Sequence, residues 1–301
     1  MDVLESPARQ MTPEDYCKQK SSRSGSSFYV SFLFLPKLQR QAITALYAFC
    51  REVDDVVDEC HEPDIARVKL SWWREEVARM YDGQPRHPVT RALQPMLQHF
   101  DLAQEYLLEI IDGMEMDLEH TSYPDFKSLN LYCYRVASVV GLLSAEIFGY
   151  RNRKTLNYAR ELGMAFQLTN ILRDVREDAQ RGRIYIPLDE LERFQVKPAD
   201  LNRPVTSDAV KALLQFQSQR THEHYRKAFQ MLPDEDRYPQ RTGIIMANIY
   251  ETLLNEIDAD GYRVLEHRIS LPPGRKLWLA LTTLWREKRR QRQPQQSRAK
   301  Q

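Results

Sequence analysis

The chain has 301 residues, 42% of them hydrophobic, and its 43 basic side chains nearly balance 42 acidic ones. That length supports one large core, and a net charge of +1 leaves no footprint for nucleic acid. Four scattered cysteines (Cys17, Cys50, Cys60, Cys133) form no CxxC pair, so they read as reduced thiols of a cytoplasmic protein. No run approaches the roughly 18 uninterrupted apolar residues of a membrane span. The best candidate, 136–150, is short and carries Glu146. In chain order, Thr12 before Pro13 and Glu14 marks a helix start. Residues 21–27, with Lys20 just before and Arg23 inside, read as a Ser/Gly-rich loop. Helical apolar spacing follows over 39–59, 65–81, 89–100, 104–118, 126–148, 155–180, 207–231, 242–265 and 274–290. No segment alternates strictly, and 180–204 is the longest irregular connection. The expected architecture is a single all-α bundle over 1–288. A basic tail rich in Gln, Arg and Lys follows at 289–301 and cannot bury a core.

Two helices carry the chemistry. With Asp54 at zero on a wheel of about 100° per residue, Asp58 falls near +40°, Arg51 near +60°, Tyr47 near +20°, Cys50 near −40° and Ile43 near −20°. Carboxylates at i, i+4 usually form a solvated ridge. Here they lie in line with apolar Ile43 and Cys50, so they face inward, which is costly unless a cation satisfies them. Asp55 points away by about 100°. The pattern returns 120 positions later: with Asp174 at zero, Asn170 sits near −40°, Asp178 near +40°, Gln167 near +20° and Gly163 near −20°. Gly163 is expected to leave space, as are Ala137, Ser138 and Gly141 beside Tyr132 and Tyr134.

Mg²⁺ prefers oxygen ligands and is held by one or two carboxylates plus substrate phosphates. Two facing acidic patches suit Mg²⁺ bridging to a diphosphate, whose charge as a leaving group such ions neutralise. The apolar remainder suits a hydrocarbon tail and a cation that water must not reach. No HExxH, P-loop, GxGxxG or GxSxG motif is present, which excludes the signatures of zinc hydrolases, P-loop kinases, Rossmann dehydrogenases and serine hydrolases.

At these residues the sequence resembles the squalene/phytoene synthase family, over roughly 16–285. The resemblance is carried by Tyr47-Ala-Phe-Cys-Arg51 running into Asp54-Asp55-Val-Val-Asp58, and by Gln167-Leu-Thr-Asn-Ile-Leu-Arg-Asp-Val-Arg-Glu-Asp178. The wording of 51–59 and 261–272 is most similar to bacterial hopanoid-pathway presqualene diphosphate synthases. The resemblance implies an isoprenoid synthase-type fold, with antiparallel helices around a central cavity and two or three Mg²⁺ ions. It implies two farnesyl diphosphates as substrate and release of presqualene diphosphate without NADPH. Phytoene synthesis from geranylgeranyl diphosphate, reduction to squalene with NADPH, and a silent binding subunit are the alternatives. By position it assigns metal ligation to Asp54, Asp58, Asn170, Asp174 and Asp178. It assigns diphosphate contacts to Ser24, Gly25, Ser26, Ser27, Tyr47, Arg51, Gln167, Arg173, Tyr250 and Arg268. It implies a catalytic set of Tyr47, Arg51, Tyr132 and Tyr185, with Tyr132 and Tyr185 near the reacting carbons. Many relatives place a Lys in the 24–27 loop; here phosphate binding by that loop is expected to rest on hydroxyls and backbone N–H groups, aided by Lys20 or Arg23.

The segment 277–290 carries two tryptophans, four leucines and a basic end. It reads either as a terminal helix packed on the bundle or as an interfacial helix for peripheral contact with an anionic membrane.

Overall fold

The computed structural model describes residues 11–23, 31–60 and 62–298. Among them every regular element is helical, and the one β-bridge joins Ser122 to Ile184. Helix α1 (Pro13–Arg23) starts as the sequence predicts: Thr12 Oγ1 accepts the Asp15 N–H at 3.1 Å. It continues through Arg23, so the first part of the expected 21–27 loop is helical instead. Ser21 is buried there and donates to the Thr44 carbonyl at 3.2 Å, which ties α1 to α2 (Lys37–Glu59). Ser24, Gly25, Ser26 and Ser27 lie outside the described residues.

Next come α3 (Pro63–Tyr81), α4 (Pro88–Leu93) with a 3₁₀ turn over Gln94–Gln98, and α5 (Gln104–Glu119). The turn interrupts the helix expected over 89–100, because Pro95 has no N–H to give the ladder. The stretch 126–148 divides into α6 (Phe126–Cys133), a π turn (Tyr134–Ser138) and α7 (Val139–Phe148). As one helix of 23 residues it is long and apolar enough to cross a membrane by length and composition, yet half of it is buried inside the bundle.

Helix α8 (Lys154–Gln180) carries the second acidic face. It ends at Gly182, whose φ of 78° only glycine adopts readily. The expected irregular connection is stitched down: Ile184 N–H donates to Thr121 O at 2.7 Å and Leu188 N–H to Tyr123 O at 2.9 Å. It also contains α9 (Leu188–Arg193) and a 3₁₀ turn over Pro198–Asn202. Helix α10 (Asp208–Met231) packs along α8. Helix α11 (Arg241–Ala259) stops six residues short of the expected 265, since Gly261 and Tyr262 turn the chain at φ 74° and 62°. That turn brings Arg268 back to α8. Helix α12 (Pro273–Arg298) extends into the segment expected as an irregular tail. Arg, Lys and Gln are good helix formers and prolong a helix that packing has nucleated.

The core falls into two halves, one built from α1–α5 with α7 and the other from α6 to α12. A cavity runs along their seam.

Candidate active site

The cavity holds about 1340 Å³ of empty space with its mouth included. Helix α2 lines it with the stripe drawn from the wheel, namely Ile43, Tyr47, Cys50, Arg51 and Asp54. Helix α8 adds Tyr158, Leu162, Gly163, Phe166, Gln167 and Asn170. From Tyr158 to Asn170 the helix rises about 18 Å, which sets the depth from closed end to mouth. Tyr132 stands at the mouth and Phe148 near the floor, so α6 and α7 run against α2 and α8.

Of the aspartates assigned by the sequence to metal, Asp54 lines the cavity itself, and each of the four has an arginine nearby. Arg51 donates to Asp54 at 2.6 Å and to Asp55 at 2.8 Å. Arg183 holds Asp58 at 2.9 Å. Arg173 forks onto Asp174, contacting Oδ1 at 2.8 Å, and Arg268 reaches the same carboxylate at 3.1 Å. Asp178 lines a small recess with Arg183 and Tyr185. Tyr250 is buried against Phe166 and hydrogen-bonds Arg173. Asp55 leaves the stripe as the wheel predicts and pairs with Lys20 at 2.7 Å. Lys20 also holds Glu52 at 3.0 Å, so it is committed to α2 rather than offered to a phosphate.

Two residues escaped the sequence reading. Asp117 accepts hydrogen bonds from Tyr132 at 2.9 Å and from Tyr185 at 2.8 Å, and the two rings stack at 5.2 Å. The available signal was a carboxylate continuing the stripe Ile110, Gly113 and Met114 of α5, one turn on. Arg183 gave no signal, because its position depends on the turn after α8 rather than on any periodicity.

Loss of solvent raises Asp54 and Asp117 to about 6 and Asp178 to about 7, and neighbouring carboxylates add to the rise. The surrounding arginines pull the other way without cancelling it. The three groups belong to one field: Asp117 acts on both Asp54 and Asp178, across the two acidic faces.

The match to known proteins agrees with this geometry. The model for "Squalene/phytoene synthase" covers residues 21–275. The chain belongs to the squalene/phytoene synthase family. It is 35% identical to a phytoene synthase of Arthrospira platensis, over 91% of this chain and 93% of that one. It is equally 35% identical to a presqualene diphosphate synthase of Rhodopseudomonas palustris, over 90% and 96%. Among solved structures, a dehydrosqualene synthase in complex with ligand superposes with a TM-score of 0.83 at 30% identity, covering 90% of this chain and 95% of that one. As a squalene/phytoene synthase, the protein is a prenyltransferase of the class that condenses two prenyl diphosphates head to head.

Members of this family use divalent metal for ionisation, and the residues of this squalene/phytoene synthase fit one. Asn170 Oδ1 is buried without a hydrogen-bond partner, an oxygen in want of a cation or donor. Among the described residues no three His, Cys, Asp or Glu side chains already converge as a cage. Mg²⁺ does not need one, since phosphate oxygens and waters complete its shell. Until a diphosphate arrives, the arginines keep these partly exposed carboxylates paired.

A pH effect follows from the raised carboxylates. Between the ordinary range near 4 and their folded values, the native state holds protons that the unfolded chain has lost. Stability from these groups therefore falls as pH rises through 5 to 7. In metal-free protein, Asp178→Asn is expected to flatten the decline in Tm between pH 5.5 and 8 by about 2–4 °C. Calorimetry of both proteins across that range checks it, and parallel pH profiles would refute the assignment.

Proposed function

We propose that this enzyme joins two farnesyl diphosphates and releases presqualene diphosphate, the step that supplies squalene and hopanoid synthesis. The observation carrying this reading is one cavity that runs from Arg51, Asp54 and Asn170 at its mouth along a largely apolar wall to a far end at Phe148, Tyr158 and Gln240. At the mouth, Arg51, Arg173 and Arg268 bind diphosphate oxygens, with Tyr47, Gln167 and Tyr250 orienting them. Asp54, Asp58, Asn170, Asp174 and Asp178 would hold Mg²⁺, which when bound would neutralise the departing diphosphate. The C1–O bond of one substrate breaks, its electron pair leaving with the diphosphate. The C2–C3 double bond of the second attacks C1, and loss of one proton closes the cyclopropane. The stacked faces of Tyr132 and Tyr185 stand where that cation develops, and Asp117 behind their hydroxyls is placed to draw the proton away. Phe32, Val136 and Phe166 exclude water.

Chain length is set at the floor. Gln240 closes it by donating to Ala145 O at 3.2 Å and Gly149 O at 2.9 Å. Tyr158 Oη and Thr242 Oγ1 line the same end, buried and without hydrogen-bond partners. A longer tail needs the room that Tyr158, Thr242 and Gln240 fill at this end. This favours a fifteen-carbon over a twenty-carbon tail. Tyr158→Ala, which opens that end, is therefore expected to raise the kcat/KM ratio of geranylgeranyl over farnesyl diphosphate about tenfold or more. An unchanged ratio would remove the floor from the account.

The reading is tested by incubating the protein with Mg²⁺ and either diphosphate, with and without NADPH, and identifying products by mass spectrometry. Presqualene diphosphate from farnesyl diphosphate in both conditions is the expected result. Squalene only with NADPH would add a reductive step. Phytoene formed solely from geranylgeranyl diphosphate would favour the second reading, which the 35% identity to a cyanobacterial phytoene synthase supports.

A further inference from the structure

Helix α12 has two apolar faces, and the bundle uses one. Ala280, Thr283 and Glu287 are buried against α11 and its neighbours, with Arg237 forking onto Glu287 at 2.8 and 3.1 Å. On the opposite side Leu277, Trp278, Leu281 and Trp285 stand 47%, 60%, 49% and 61% exposed. With Leu277 at zero on the wheel, these four fall within an arc of about 100°, at roughly 0°, +100°, +40° and +80°. Lys288 at about +20° and Arg292 at about +60° continue the same arc one and two turns on. Both are exposed, and Arg289 stacks over the Trp285 ring at 5.5 Å. A recess beside Trp285 is lined by Arg286, Arg289 and Arg290.

The charge pattern selects what covers this face. From Arg286 to Arg292 the one acid, Glu287, is turned inward to Arg237. A second copy docked face to face would bring two cation clusters together. A lipid surface with anionic headgroups meets both demands, taking the tryptophans at the headgroup boundary and the cations at the phosphates. The start of α12 also adjoins the cavity mouth. Arg268, just before it, reaches Asp174, and Lys276 in its first turn lies close enough to Arg173 to feel its charge.

We infer that α12 lies in the surface of an anionic membrane, held by Leu277, Trp278, Leu281 and Trp285 and by the cations that follow. The cavity mouth is thereby set beside the bilayer, where greasy diphosphates partition. The inference needs no particular prenyl chain, and its test needs no turnover. Full-length protein is floated with vesicles of equal parts phosphatidylglycerol and phosphatidylcholine, and with phosphatidylcholine alone. Binding to the mixed vesicles is expected, weakening at least tenfold in pure phosphatidylcholine and again on raising salt. Trp278→Ser/Trp285→Ser is expected to bind at least tenfold less, with an unchanged melting curve because both side chains face outward. Lys288→Gln/Arg289→Gln/Arg292→Gln should lose the preference for anionic lipid. Wild-type protein that stays off the mixed vesicles overturns the inference, and so does equal flotation of the tryptophan variant. A dimer in sedimentation that the tryptophan variant dissolves, without flotation of either protein, would assign the face to a second copy instead.

Discussion

Asp54→Asn and Asp174→Asn are each expected to lower kcat/KM for the prenyl diphosphate by about 10²–10³-fold or more, while leaving stability nearly unchanged. The two halves of that expectation come from one arrangement. Asp54 lies in the cavity mouth, and burial lifts its carboxyl to about 6. A neutral amide there removes a charge that the metal-free protein holds at a cost. Arg51 keeps Asp55 as a partner at 2.8 Å. Asp174 is gripped by Arg173 and Arg268, and an amide oxygen still accepts from both. What the amides cannot do is neutralise a divalent cation while the leaving diphosphate gathers charge. Asp55→Asn is the control, since Asp55 faces Lys20 on α1 rather than the cavity. Steady-state kinetics in a titration of Mg²⁺ separate the cases. Excess metal should partly rescue Asp54→Asn if the loss is one of affinity. Equal losses at Asp54 and Asp55 would mean that the helix face does not define the site.

How much of this was legible beforehand depends on whether a residue's place is set by its own helix. The α2 stripe from Ile43 to Asp54 and the α8 stripe from Gly163 to Asn170 follow from periodicity, and both line the cavity. The helix start at Thr12 was marked by capping and proline chemistry. What could not be read were pairings made by turns. Arg183 reaches Asp58 only because Gly182 ends α8 at φ 78°. Lys20 looked available until α1 was seen to extend past it, against Glu52 and Asp55. Asp117 was overlooked because one acid on an apolar stripe is ambiguous until Tyr132 and Tyr185 are seen converging on it. The glycines were half read: Gly141 and Gly163 line the cavity as expected, but spacing could not show that they also let the helix backbones touch.

Gly163→Ala is accordingly expected to destabilise the protein by about 2 kcal/mol or more, although alanine is the better helix former. Glycine inside a helix costs about 1 kcal/mol relative to alanine, so propensity alone predicts a gain. Against it stands the π turn between α6 and α7. A Cβ on Gly163 would lie 2.5 Å from the Ala137 carbonyl oxygen and 2.7 Å from Ser138 Cα. These are backbone atoms that no rotamer change moves, so helix and turn must separate, and overpacking of that kind costs about 1–3 kcal/mol or more. Gly141 meets the Ala159 carbonyl in the same way from the other side of the contact. The pair thus sets how closely α7 approaches α8, and so where Asn170 stands relative to Tyr132 across the mouth. Activity should fall with stability in Gly163→Ala, because the displaced helix carries Gln167, Asn170 and Asp174 together. Gly243→Ala is the contrast: its nearest neighbour is the Tyr158 hydroxyl at 3.1 Å, the tip of a side chain that can give way. Thermal melts of the two variants beside wild type decide it. A Gly163→Ala protein as stable as wild type would mean that the two helices have slack between them, and that the register of the acidic faces is held elsewhere.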